Sequence, residues 1–141
     1  MVNNVAELID LFAMVDNEMR LNLLLDFSAK QPDLNGQHTA ARDTGLYNIP
    51  ECQTPVYLHL ARNGDTLQII WWVAEESPTV RGFVTALCLA LDGKPLTDAA
   101  TLPNDMLQQM GLIQALSSLR SRGLDGIVRR IKRIATELGG A

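Results

Sequence analysis

Apolar residues at helical spacing predict two helices at the start of the chain. The first begins after Asn4, which together with Glu7 is typical of a helix N-cap. Asp16-Asn17 breaks the pattern and can cap the second helix, which should end shortly before Pro32. The predicted apolar faces are Val5, Leu8, Ile9, Phe12 and Val15 in the first helix, and Met19, Leu23, Leu24 and Phe27 in the second.

The middle of the chain predicts a long loop followed by a hairpin. From Pro32 to Asn48 the sequence is polar and aperiodic, which is typical of a surface loop that is functional or mobile. The runs Pro55 to Ala61 and Thr66 to Val73 are strand-like, and the pair Asn63-Gly64 between them indicates a tight turn. Because Ile70-Trp71-Trp72-Val73 is too apolar for a strand with one wet face, we expect either partial cover on both faces or a contact surface marked by one tryptophan.

Helices are predicted for the rest of the chain. Ser77-Pro78 is a favourable helix start, because the Ser77 hydroxyl can cap the helix and proline suits a position where no N–H is needed. Asp92-Gly93 ends that helix. Leu96 to Met110 predicts short helical pieces, and Ser117 or Ser118 can cap the last helix. The predicted buried stripes are Val80, Phe83, Val84, Leu87, Cys88 and Leu91 in the first of these helices, and Leu124, Ile127, Val128, Ile131, Ile134 and Leu138 in the last.

This order of elements predicts an α+β fold with helices packed on a small antiparallel sheet. A length of 141 residues indicates a single domain over residues 1–141, with enough chain to bury a core. The composition, 47% hydrophobic and 20% charged, is that of an ordinary soluble protein. We see no signal peptide and no run long enough to span a membrane, so we expect a cytoplasmic protein with no membrane partner.

Charge argues against nucleic acid as the main partner, since the formal net charge is −4. The last helix nevertheless carries a basic cluster on the side opposite its apolar stripe. We interpret this cluster as a solvated face. It consists of Arg129, Arg130, Lys132 and Arg133.

The chain has two cysteines, Cys52 and Cys88, too few for a disulfide framework at this size. Cys88 falls within an apolar helix stripe, which indicates a core thiol. Cys52 lies between Pro50 and Pro55, which disfavour helix, so its segment predicts a loop that leads into a strand. Such loops often carry reactive groups, but a free cysteine is also often a small buried hydrophobe, and position alone leaves both interpretations open.

The sequence gives little support for a zinc site, a Cys–His nucleophile pair or a cofactor site. The two Cys and two His could in number form a zinc site, but Cys88 on a core stripe and His38 in a loop match no zinc pattern. A nucleophile pair of Cys52 and His59 lacks a visible oxyanion-hole motif. Neither a phosphate loop, a dinucleotide fingerprint nor a cofactor-binding lysine motif is present, so we expect no cofactor and no metal.

Three short motifs, taken together, are more specific. They are Glu51-Cys52-Gln53-Thr54 ahead of an apolar strand, Val80-Arg81-Gly82 after the acidic pair Glu75-Glu76, and the run from Leu116-Ser117-Ser118-Leu119-Arg120 to Gly123-Leu124. In this order they resemble the motifs of the SufE-like sulfur-acceptor proteins of iron–sulfur cluster assembly. Glu18-Met19-Arg20 is also similar to the start of that family's second helix, and the resemblance covers nearly the whole chain.

The resemblance implies a sulfur carrier rather than an enzyme. Cys52 would take the outer persulfide sulfur from a pyridoxal-phosphate cysteine desulfurase, stimulate that enzyme and pass the sulfur to an iron–sulfur scaffold. Arg120, which matches a family arginine near the cysteine, would favour the thiolate. The loop from Arg42 to Ile49 would join the contact with the desulfurase. The remaining partner-binding residues would be Glu51, Gln53, Thr54 and Arg81, in a protein that is a monomer or weak homodimer.

Two residues depart from the family motif. Glu51 replaces a glycine before the cysteine, and its carboxylate would raise the pKa of the Cys52 thiol. Pro55 stiffens the loop and removes one donor from the strand ladder. Two other classes remain open: a cluster scaffold, which would need about three cysteine ligands near the loop, and a small thiol-dependent enzyme with Cys52 as its nucleophile.

Overall fold

Eight helices and one three-stranded sheet make up the part of the chain that the structure, a computed structural model, describes: residues 2–45, 47–49 and 54–140. The predicted α+β class, with helices packed on a small antiparallel sheet, is confirmed. The elements are α1 (Val5–Ala13), α2 (Asn17–Ser28), α3 (Gly36–Gly45), β1 (Tyr47–Ile49), β2 (Thr54–Asn63), β3 (Thr66–Val73), α4 (Pro78–Leu91), α5 (Leu96–Ala100), α6 (Met106–Gln109), α7 (Leu112–Ala115) and α8 (Ser118–Gly139).

The sheet is antiparallel in the order β1-β2-β3. The predicted hairpin is present, but its turn lies one residue later than expected. Asn63 pairs with Thr66, so the two turn residues are Gly64 and Asp65. Gly64 has a φ of +63°, a conformation that glycine adopts without steric cost.

The two faces of the sheet are covered differently. Along β3, burial alternates, and the core face carries Leu67, Ile69, Trp71 and Val73. Trp72 points the other way and is half-buried, since the guanidinium of Arg42 in α3 lies 4.7 Å from its ring centroid. Partial cover of both faces, as the sequence predicted, is therefore confirmed.

The predicted loop from Pro32 to Asn48 is wrong, because most of it forms α3 and β1. Asn35 caps the helix, since its Oδ1 accepts the main-chain N–H of His38 at 3.0 Å. Nδ1 of His38 in turn lies 3.1 Å from the Tyr57 hydroxyl on β2. Periodicity did not reveal the helix because polar and cationic side chains, rather than an apolar stripe, hold it to the sheet.

The first two helices start as predicted. Asn4 and Asp16 each accept a main-chain N–H at 2.9 Å, so both N-caps are confirmed. Met19 does not lie on the buried face of α2, because its side chain is 45% exposed. The buried face is centred on Leu24 and Phe27, and a five-residue step places Met19 about 140° around the helix from Leu24.

A close approach of α2 and α4 forms part of the core. A Cβ atom at Gly82 would overlap the main-chain carbonyl of Leu24, so only glycine allows this separation of the two helices. All six residues of the predicted α4 stripe are buried, which confirms that prediction. Their exposed fractions are 1% for Val80 and 0% for Phe83, Val84, Leu87, Cys88 and Leu91.

The C-terminal helices agree with the sequence in most respects. Gly93 and Gly111 have φ of +76° and +74° at the ends of α4 and α6, and Ser117 caps α8 through its Oγ at 3.2 Å. The short helix α7, after Gly111, was not predicted. Four residues of the predicted α8 stripe are buried, which confirms them as core: Leu124, Ile127, Val128 and Ile131. The other two, Ile134 and Leu138, are only half-buried.

The basic cluster of α8 faces outward in part. Arg129 and Arg133 are exposed and pair with Asp125 and Glu137 one turn away, at 3.5 and 3.9 Å. Exposed pairs of this kind contribute little to stability. The predicted solvated face is therefore consistent with these contacts.

Candidate functional site

The connection between β1 and β2 is where the sequence places the candidate thiol. Ile49, the last residue of β1, pairs with Thr54, the first residue of β2. The residues between them include Glu51, Cys52 and Gln53, and all three lie outside the described residues.

The start of β2 is fixed to the turn before α4. The hydroxyls of Thr54 and Ser77 lie 3.0 Å apart, and the N–H of Ala74 donates to the carbonyl of Pro55 at 3.3 Å. The side chain of Ser77 makes no cap hydrogen bond in α4, so its predicted capping role is wrong. Its hydroxyl instead ties α4 to β2, a long-range contact that no local sequence pattern signals.

Arg120 lies at the same end of the fold. The cap at Ser117 starts α8 there, and Nη1 of Arg120 donates to the hydroxyl of Thr79 at 2.8 Å. Thr79 lies in the first turn of α4, close in sequence to Ser77. The structure therefore brings Arg120 beside the helix that supports the start of β2, while its approach to Cys52 stays a prediction.

Arg81 is the second arginine at this end. Its side chain is only 21% exposed, and its Nη1 lies 3.9 Å from Oε1 of Glu75, whose own side chain is 85% exposed. The Nε atom of Arg81 is buried and has no hydrogen-bond partner among the described residues. A partly buried guanidinium with an unsatisfied donor thus lies next to the segment that anchors β2.

Cys88 is excluded from surface chemistry by its position. It is 0% exposed within the α4 stripe, which confirms its prediction as a core thiol. Burial, assisted by the negative charge of Asp92, raises the pKa of the Cys88 thiol far above its ordinary range. Burial therefore favours the neutral thiol at Cys88 over the reactive thiolate.

A histidine pair lies on the outer face of the sheet. The ring centroids of His38 on α3 and His59 on β2 are 5.3 Å apart. Side chains alternate along β2, so His59 and Thr54 belong to opposite faces of the sheet. Within residues 2–45, 47–49 and 54–140, no three His, Cys, Asp or Glu side chains form a group that could hold a metal ion.

No helix in the described part of the chain is long and apolar enough to cross a membrane.

Comparison with known proteins identifies the family. The family model described as "SufE: Fe-S metabolism associated domain" matches residues 6–135. An uncharacterized SufE-like protein of Mycobacterium tuberculosis is 36% identical over 129 residues, which is 91% of this chain and 88% of the relative. A SufE-like protein of Rhizobium etli, also uncharacterized, is 29% identical over 133 residues, or 92% of this chain and 87% of the relative.

A solved structure agrees with this result. The solution structure of a hypothetical protein from Thermus thermophilus superposes with a TM-score of 0.79 at 26% identity, with 100% of both chains covered. The resemblance read from the three sequence motifs is thereby confirmed, and this chain belongs to the SufE family of domains associated with Fe–S metabolism.

Proposed function

We propose that this chain accepts persulfide sulfur from a cysteine desulfurase onto Cys52, stimulates that enzyme and relays the sulfur to an iron–sulfur cluster scaffold. Membership of the SufE family supports a part in sulfur transfer for Fe–S metabolism. The observation that carries the finer proposal is the contrast between the two thiols. Cys88 is sealed in the core, whereas Cys52 precedes a strand whose start is tied to α4.

The transfer step needs no external oxidant or reductant. The Cys52 thiolate attacks the outer sulfur of the desulfurase persulfide, and a new S–S bond forms on Cys52. The S–S bond of the donor breaks, and its electron pair leaves on the desulfurase cysteine as a thiolate. The sulfur remains bound to Cys52 when no second thiol is near enough to displace it, and Cys88 is removed from that reaction by burial.

The surface that meets the desulfurase would consist of residues around the β1–β2 connection. Glu51, Gln53 and Arg81 belong to this proposed surface, and the exposed end of Arg120 extends it beside Thr79. Thr54 needs a correction, since its side chain is 3% exposed and lies against Ser77. We propose that Thr54 holds the start of β2 against Ser77 and does not contact the partner.

Arg42 to Ile49 was predicted as a loop in this contact, and the structure instead shows α3 as far as Gly45 and then β1. We propose that β1, which pairs with the start of β2, carries the contact in place of a loop. We propose that a carrier of this kind works in the cytoplasm, because a reducing compartment keeps the thiol free. We expect it to be a monomer or a weak homodimer.

A sulfur-acceptance assay tests the proposal. The untagged protein is incubated with a cysteine desulfurase and cysteine, and its intact mass is measured together with sulfide release. We expect one added sulfur on the wild type and on Cys88→Ser, and none on Cys52→Ser, because a hydroxyl cannot form a persulfide. A Cys52→Ser variant that still accepts sulfur and accelerates sulfide release would show that the proposal is wrong.

A further inference from the structure

Both histidines of the chain come together on the outer face of the sheet. His38 belongs to α3 and His59 to β2, and their ring centroids are 5.3 Å apart with the ring planes tilted by 51°. The sequence contains no other histidine, so the fold collects all of its imidazoles at one place. Imidazole is a common ligand of divalent transition metals, and a close pair from two different elements therefore raises the question of a metal site.

The position of His38 is fixed by contacts along α3. Its main-chain N–H donates to Oδ1 of Asn35 at 3.0 Å, which sets the start of the helix. Arg42, four residues later, lies on the same side of α3, and its guanidinium is 4.7 Å from the ring centroid of Trp72. These contacts place the His38 side of α3 against the outer face of the sheet, from which His59 also projects.

The contact with Tyr57 decides which ring nitrogen of His38 can bind a ligand. Nδ1 lies 3.1 Å from the hydroxyl of Tyr57, a residue that is only 6% exposed. Histidines that bind metals usually hold their second ring nitrogen in such a hydrogen bond, which fixes the orientation of the ring and its tautomer. When Nδ1–H donates to the Tyr57 oxygen, Nε2 carries a lone pair and is available as a ligand.

The separation of the two rings matches that of two imidazoles on one zinc ion. Zinc is bound tetrahedrally at a Zn–N distance of about 2.0–2.1 Å, so each ring centroid would lie about 3.2 Å from the ion. At the tetrahedral angle two such centroids are about 5.2 Å apart, close to the separation observed here. His59 is exposed, so rotation about its side-chain bonds can direct a ring nitrogen to the ion without movement of the backbone.

We propose that His38 and His59 bind a zinc ion on the outer face of the sheet, with Tyr57 as the positioning residue for His38. The imidazoles occupy two of the four ligand positions, and water occupies the other two. Within the described residues no third His, Cys, Asp or Glu joins the pair, so the site is open and its ion is exchangeable. The bound ion would link α3 to β2. This inference does not depend on the sulfur-acceptor function proposed above.

Zinc titration of the untagged, metal-free protein tests the inference. Every sample carries Cys52→Ser so that this thiol does not bind zinc, and Cys88 is buried. Calorimetry should show one zinc ion per chain, and His38→Ala and His59→Ala should each weaken binding by about tenfold or more, because one imidazole ligand is lost. Tyr57→Phe keeps the aromatic ring but removes the hydroxyl, and it should weaken binding by about 10–100-fold at unchanged stoichiometry.

NMR gives a second readout, which a merely structural role of the histidines would not produce. The imidazole C–H signals come from His38 and His59 alone, and zinc should shift both sets. Glu137→Gln is the control, since it removes an exposed carboxylate on α8 and should leave the zinc affinity unchanged. Circular dichroism checks folding, and His59→Ala, at an exposed position, carries the test if His38→Ala does not fold.

The inference is overturned if folded His59→Ala binds zinc as tightly as the parent protein, or if zinc shifts the signals of only one histidine. Weak binding of several ions, reduced equally by His59→Ala and Glu137→Gln, would identify an adventitious ion only and would also overturn it. Full zinc affinity in Tyr57→Phe, with affinity lost in both histidine variants, would reject the positioning role of Tyr57.

Discussion

The contact between α2 and α4 gives a sharp test of the packing described above. In Gly82→Ala the new methyl group would overlap the carbonyl of Leu24, a main-chain atom that cannot rotate away as a side chain does. The two helices must then separate, and Leu24 and Phe83, both 0% exposed, lose contacts across the gap. Overpacking of a core costs about 1–3 kcal/mol and occasionally more. Because the obstacle here is backbone, we expect a loss in the free energy of unfolding of about 3 kcal/mol, at the top of that range.

The matched control is Gly126→Ala in α8. A Cβ at Gly126 would meet no atom within 4 Å, and the residue lies inside a helix. Alanine is favoured over glycine there by about 1 kcal/mol, so this variant should be slightly more stable than wild type. Urea denaturation followed by circular dichroism measures both variants, with the slope compared to check two-state behaviour. If Gly82→Ala unfolds at the wild-type urea concentration, α2 and α4 do not pack as closely as described.

Two further predictions concern the thiols and the partner. Cys88→Ser should lower the free energy of unfolding by about 1–3 kcal/mol, because it places a hydroxyl in apolar surroundings, and the variant should still accept sulfur. Thermal melts measure its stability, and the desulfurase assay measures its sulfur acceptance. A variant with full stability but no activity would reverse the assignments of the two thiols. Burial raises the pKa of Cys88, so its contribution to the free energy of unfolding is fully present below the pKa of an unfolded thiol and declines as pH rises above it. In urea melts at alkaline pH, Cys88→Ala should therefore lose this decline in the free energy of unfolding with pH. Hydrogen exchange over residues 42–56 should slow when a cysteine desulfurase is added, and unchanged exchange there would contradict the proposed docking surface.

Features that depend on neighbouring residues were determined by the sequence itself. The caps at Asn4, Asp16 and Ser117 each bond a main-chain N–H one turn later, so a few consecutive residues suffice to predict them. The β2–β3 hairpin and the buried stripe of α4 are likewise local patterns with a fixed period. The burial of Cys88 follows from its place in that stripe, which is why the two thiols could be distinguished before the fold was known.

Features that join distant parts of the chain were decided only by the tertiary structure. The helix α3 has no apolar stripe, and its contacts are made to the sheet, from His38 to Tyr57 and from Arg42 to Trp72. The hydroxyl of Ser77 has a favourable local role as a cap, but the fold places Thr54 within its reach instead. The sequence singles out Arg81 only through its motif, and only the packing of α4 shows that its Nε is buried. Periodicity reports which side of a helix is apolar, whereas the partner of a polar side chain is set by which strands and helices the fold brings together.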